Sequence, residues 1–268
     1  MNQADNTNFC IGIRDSGVGG LTVAREVRGR IPNADLLYFA DTAHVPYGDK
    51  TEAEICHYAL SISDFLIKNG AQIVVFACNT TSAYALDAAR KRFTVPIFGV
   101  IEPGARVAAQ ISSGKVGVLA TAATVASAVY SREIKHLRSD LQVMEIACPA
   151  FVPLVEAQKT DSIEAFEACR HYLAPLLRSG ADTIVLGCTH FPLLLSSLQK
   201  IAPEVQFVDP AQALACEIAA HLGQISSHGA MPNDTFWVSG ATDGVEKWIQ
   251  TLLQIQNPIL KTGPVFDL

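Results

Sequence analysis

Eight short runs along this chain, residues 9–14, 35–40, 73–78, 97–100, 116–120, 142–146, 183–187 and 206–208, are largely apolar at successive positions, most of them with Val or Ile. A strand with one wet face alternates apolar and polar residues, whereas a strand buried on both faces of a parallel sheet does not. Between the runs lie longer segments of helical period, at 19–30, 50–69, 81–92, 104–112, 124–137, 162–179, 192–201, 211–222 and 243–254. Strands that alternate with helices predict an α/β chain whose sheets are covered by helices. At 268 residues and 49% hydrophobic, the chain has ample material for such cores.

Self-comparison narrows the architecture further. "CIGIRDSGVGGLTV" and "KVGVLATAATVASA" both read as strand, small-residue turn and helix. "AQIVVFACNTTSA" and "ADTIVLGCTHFPL" follow at nearly the same distance in each half, and each places a cysteine at its strand's end. The pattern predicts a distant duplication: two pseudo-symmetric α/β domains, each a mostly parallel sheet flanked by helices. The first is assigned residues 1–100 plus 210–268, the second 101–209. Ligands of open parallel sheets bind beyond the carboxyl ends of the strands, so the active site is expected in an interdomain cleft reached by Cys78 and Cys188.

Charge and cysteine usage exclude several function classes. A net charge of -6 with no basic tract argues against nucleic-acid binding and points to a small-molecule partner. No stretch approaches the roughly 20 apolar residues of a membrane helix, and "MNQADNTNF" does not read as a signal peptide, so a cytoplasmic protein is expected. The polar segment ahead of Phe9 is expected to be disordered. The seven cysteines are odd in number, scattered and free of CxxC pairs, which predicts reduced thiols and no metal site. Cys10, Cys56, Cys148, Cys169 and Cys216 are assigned to packing.

Cys78 and Cys188 stand apart because each is trailed by polar residues at the start of a helix, in "CNTTS" and "CTHFP". Helix N-termini bind carboxylates and favour thiolates. Disulfide redox chemistry would need a resolving partner that neither site supplies. A single Cys188–His190 nucleophile leaves Cys78 without a role. Proton transfer at carbon from opposite faces, as in a two-base racemase or epimerase, uses both thiols.

"IGIRDSGVGGLTV", "YFADTAHVPYGDKT", "FACNTTSA", "GVIEPG", "ATAATVAS", "CPAFVPLVE" and "LGCTHFPLL" run from residue 11 to residue 195 and together resemble the glutamate racemases. The resemblance implies cofactor-independent interconversion of L- and D-glutamate, with no cofactor and no metal, supplying D-glutamate for peptidoglycan, by a homodimer. It implies Cys78 and Cys188 as the two acid/base catalysts, acting on D- and L-glutamate respectively. Asp15 would support Cys78 and receive the ammonium, and His190 and Glu156 would serve beside Cys188. It further implies substrate binding by Asp15, Ser16, Pro46, Tyr47, Gly48, Asn79, Thr80, Thr121, Thr124, Thr189 and His190. A related aspartate or hydantoin racemase, or a racemase-like protein that binds an acidic amino acid without turning it over, would share the paired thiols.

Local readings compete with several of these roles. Asp15 could instead cap the following helix, and "VPYG" reads most simply as a turn. Glu156 could be an acidic residue at the beginning of a helix. His44 reads as a solvated loop residue. The glycines 17, 19 and 20 lack the GxGxxG spacing of a dinucleotide fingerprint. Arg14 departs from the family, in which an apolar residue usually precedes the aspartate. Adjacent strand residues face opposite sides, so its side chain is expected at a cleft mouth or subunit contact, away from Asp15.

Overall fold

The computed structural model describes residues 8–223, 231–242 and 244–267, so the segment ahead of Phe9 and the expected helix start at Asp243 fall partly or wholly outside the described residues. The chain divides into two compact units, Met1–Gly99 with Leu214–Leu268, and Val100–Ala213.

The first unit runs β1 (Cys10–Asp15), α1 (Leu21–Arg30), β2 (Asp35–Ala40), a 3₁₀ turn (Tyr47–Asp49), α2 (Glu52–Lys68), β3 (Ile73–Phe76), α3 (Asn79–Arg92) and β4 (Ile97–Gly99). The second runs α4 (Ile101–Ile111), β5 (Lys115–Ala120), α5 (Ala122–Ser127), α6 (Val129–Leu137), β6 (Gln142–Ala147), α7 (Phe151–Glu156), α8 (Ile163–Ser179), β7 (Thr183–Gly187), a 3₁₀ turn (Phe191–Leu194), α9 (Leu195–Ile201) and β8 (Gln206–Val208). Helix α10 (Pro210–Leu222) returns the chain to the first unit, which gains β9 (Thr235–Val238), α11 (Val245–Leu253) and β10 (Ile259–Thr262).

Every strand pair is parallel. The sheet orders are β10-β9-β2-β1-β3-β4 and β6-β5-β7-β8. The core of the first is therefore 2-1-3-4, and the second repeats that order with its own four strands. In such a sheet the chain leaves the central strand toward one edge and later returns on its other side. The resulting switch point lies between β1 and β3 in one unit and between β5 and β7 in the other. The residues just past these strands are Ser16 and Ala77 in the first unit, and Thr121 and Cys188 in the second.

Alternation along β1 divides the first unit's core. Gly12 and Arg14 face the side packed by α2 and α3, where a Cβ on Gly12 would stand 2.8 Å from Ala71 and 3.3 Å from Leu66. Asp15 faces the other side, beside Gly20 and the Tyr38 hydroxyl. Helix α2 begins with a full capping box, Thr51 accepting from the Glu54 N–H while Glu54 reaches back to the Thr51 N–H. In the second unit Leu176 of α8 packs over Gly117 and Ile184.

Several expected elements are resolved differently. The helix expected over 124–137 is two, broken where Ala128 takes φ 50. The short α7 and the strands β9 and β10 fall outside the expected set. β9 is four residues long and buried throughout, and β10 is an exposed edge carrying Lys261 whose mixed polarity gives little periodic signal. Cys216 is exposed, which corrects its assignment to packing.

Candidate active site

In the first unit the β1-to-α1 turn forms around Asp15, which is fully buried. Its Oδ2 accepts the Gly17 N–H at 2.9 Å, and the Tyr38 hydroxyl donates to the Gly17 carbonyl at 2.7 Å. Asp15 therefore orders the turn and does not cap α1, whose N-cap Gly20 has no side-chain capping bond. A Cβ at Gly20 would lie 2.5 Å from Asp15 Cβ and 2.8 Å from the Tyr38 hydroxyl, so only glycine allows this approach.

Cys78 is itself the N-cap of the fourteen-residue α3, with extended backbone, and Ser16 Oγ stands 3.7 Å from its sulfur. Asn79 and Thr80, which the sequence nominates for binding, occupy the first helical turn and are buried. Burial pushes the Cys78 thiol up, and Asp15 pushes it further. Arg14 opposes this, as does Thr81 in the first turn of α3. Thr81 is a residue the sequence reading missed. Its signal was its place at the third position of the helix that Cys78 opens.

Pro46 follows a cis peptide bond in an exposed loop, and Gly48 sits in the 3₁₀ turn. Tyr47 turns inward and is buried. Its hydroxyl donates to Asp41 Oδ2 at 2.5 Å and accepts from Arg14 Nη2 at 3.2 Å. The Ser239 hydroxyl donates to Asp41 Oδ1 at 2.6 Å, and His44 Nδ1 lies 2.9 Å from the same oxygen. His44 is thus a buried partner of Asp41, stacked on Tyr58 at 3.9 Å between centroids, and not a solvated loop residue.

Arg14 is likewise corrected. It does point away from Asp15 across the strand, but it lies at no surface: it is 0% exposed, with its guanidinium 5.5 Å from the ring centres of both Tyr47 and Phe76.

The second unit assembles a different set. Thr121 caps α5, accepting from the Thr124 N–H, and its hydroxyl lies 2.9 Å from that of Thr124. Cys188 follows β7 directly; its sulfur is 3.7 Å from His190 Nδ1. His190 Nε2 is 3.2 Å from Glu156 Oε1. Thr189 and His190 are buried, whereas the Glu156 side chain is 46% exposed. Glu156 closes α7 at its C-terminal end, so the favourable helix-start reading does not apply and its position is set by His190. Among the described residues no group of three or more His, Cys, Asp or Glu is arranged to hold a metal ion.

Each unit thus carries a free, buried thiol at its switch point with an ionisable neighbour, an arrangement suited to moving protons. Comparison with known proteins agrees. Residues 22–218 match the family model described as Asp/Glu/Hydantoin racemase. Glutamate racemase of Desulforudis audaxviator is 49% identical over 205 residues, covering 76% of this chain and 75% of that protein. Glutamate racemase of Gloeobacter violaceus is 46% identical over 259 residues, covering 95% and 97%. The crystal structure of glutamate racemase from Francisella tularensis in complex with D-glutamate superposes with a TM-score of 0.88 at 29% identity, covering 97% of this chain and 98% of that one.

Proposed function

Because the chain belongs to the Asp/Glu/Hydantoin racemase family, we propose that it interconverts L- and D-glutamate by a two-base mechanism, one thiol coming from each unit. It is an amino-acid racemase, an isomerase. The observation that carries the mechanism is the equivalent placement of Cys78 and Cys188 past the inner strands β3 and β7, each with its own ionisable neighbours.

In one direction the Cys78 thiolate removes the α-proton of D-glutamate. The electron pair left on carbon is delocalised into the α-carboxylate, and the Cys188 thiol delivers its proton to the opposite face. The product is L-glutamate, with Cys78 protonated and Cys188 ionised. The reverse reaction starts from that state, and exchange of protons with solvent resets the pair. With no electron sink, the developing negative charge must be met by preorganised donors. Helix α3 supplies N–H groups beyond Cys78, and Asn79, Thr80 and Thr189 supply polar side chains. Asp15 and Ser16 are suited to the substrate ammonium, which must stay charged to acidify the adjacent carbon. Pro46, Tyr47 and Gly48, with Thr121 and Thr124, complete the binding set. The His190–Glu156 pair takes and returns the Cys188 proton.

The reading extends to a cytoplasmic homodimer supplying D-glutamate for peptidoglycan. Among the described residues no helix is long and apolar enough to cross a membrane. Incubation of each glutamate enantiomer in D2O tests the mechanism. Deuterium should enter Cα of the opposite enantiomer as it forms. Inversion without solvent deuterium would refute it, and a panel including aspartate and hydantoins identifies the preferred substrate.

A further inference from the structure

A guanidinium presents five N–H donors and never loses its charge, so its burial demands an answering negative group. Arg14 Nη2 donates to Tyr47, but Nε and Nη1 have no hydrogen-bond partner among the described residues. The groups facing it are Tyr47 from the 3₁₀ turn, Cys78 at the start of α3, Asp41 beyond β2 and Asp15 on its own strand. Asp41 is already held by Tyr47, Ser239 and His44. Asp15 lies on the opposite face of β1, bound to the Gly17 N–H. Tyr47 and Tyr38 are both held neutral, pushed well above the ordinary phenol range chiefly by burial.

The hydrogen bonds to Asp41 leave it its charge, so it helps to hold the guanidinium; Cys78 is the remaining facing group, the one that gains a negative charge when it acts as a base. β1 and β3 pair Arg14 with Phe76, the register continues through the Ala77 N–H to the Arg14 carbonyl, and Cys78 follows Phe76 at same-face spacing. We propose that Arg14 is a positioning residue: a permanent cation locked behind Cys78 by Tyr47 and Phe76, acting as the built-in counter-ion of its thiolate. Burial alone would lower the guanidinium's proton affinity, yet these neighbours together hold it up, so the cation persists across the working pH range. The role deepens the two-base reading and rests on it for its catalytic meaning. The ionic coupling itself needs no substrate.

The test is therefore read without turnover. In protein labelled at cysteine 13Cβ, with Cys78→Ser used for assignment, the Cys78 titration is followed by NMR. Arg14→Met should raise its midpoint by about one unit or more, a tenfold loss of thiolate at a given pH. Arg14→Lys, which keeps the charge, should restore most of that shift, a rescue that a purely structural role would not produce. In the unsubstituted protein the Arg14 Nε–Hε resonance should move in step with Cys78 and lose that step in Cys78→Ser. This reading stands even if Arg14→Met fails to fold. An unchanged Cys78 midpoint in Arg14→Met, or an Arg14 resonance indifferent to Cys78, overturns the proposal. Failed deuterium incorporation with intact coupling would overturn only the two-base reading.

Discussion

The two thiol sites occupy the same place in the same strand order, yet they are furnished by opposite means. Cys78 caps a fourteen-residue helix and is surrounded by groups fixed in the core, Asp15 on one face of β1 and Arg14 on the other. Cys188 precedes a 3₁₀ turn that runs directly into the seven-residue α9, and it has in addition an imidazole at 3.7 Å that leads to a half-exposed carboxylate. The first thiol has a carboxyl and a guanidinium of fixed charge as neighbours, the second an imidazole. Strand order therefore preserves where a proton-transfer group stands, while the residues around it are free to diverge in how they ready it.

The largest expected effect tests whether the sites are equally indispensable. Cys78→Ala and Cys188→Ala should each lower kcat/KM by about 10⁴-fold or more, at the upper end of acid–base contributions. Enantiomers are equal in energy, so the loss must be the same from L- and from D-glutamate; circular dichroism in both directions measures it. A surviving rate in one variant would break the comparison.

His190→Asn should cost about 10²-fold and Glu156→Gln about tenfold, because the carboxylate acts through the ring. Rate against pH should change shape in the His190 variant, and an unchanged profile would remove the imidazole from proton handling. On the other side, Tyr47→Phe takes a hydroxyl from both Asp41 and Arg14 and should destabilise the protein by about 2 kcal/mol in urea unfolding. Full stability would mean that the Arg14 lock is looser than its geometry.

The smallest effect separates the units at their far ends. Asp182, just before β7, accepts from the hydroxyls of Ser112, Ser113 and Thr183, whereas Gln72, its counterpart before β3, accepts the Cys10 N–H. Partial burial opposes its ionisation, but those bonds outweigh it and hold the carboxyl at about 2, below its ordinary 3.8. The lowered value means that the stabilisation is complete above the unfolded pKa and is lost as pH falls from about 4 through about 2. After allowance for solvent screening, Asp182→Asn should cost about 1 kcal/mol at neutral pH. That difference should vanish near pH 2, and an equal cost at both pH values would dissociate it from ionisation.

Much of this was legible in one dimension. Parallel strands buried on both faces leave unbroken apolar runs, so β2 and β7 could be bounded from sequence, while β10, an exposed edge of mixed polarity, gave no such run. Cys78 and Cys188 stood out because polar residues followed an apolar strand. Arg14 and His44 were misplaced for one reason: a charged or polar residue in a sequence reads as surface, and only neighbours distant along the chain reveal what buries or pairs it.

By itself the sequence determined the α/β alternation, the doubled strand-turn-helix pattern and the residues that end its strands, because each is written in local periodicity and turn chemistry. Tertiary structure alone decided that the inner strands set Asp15 and Ser16 near Cys78, that α7 delivers Glu156 to His190, and that Arg14 lies sealed between Tyr47 and Phe76. Such pairings depend on strand order and on which side of a sheet a helix crosses, and burial turns a surface charge into one that must find its partner inside.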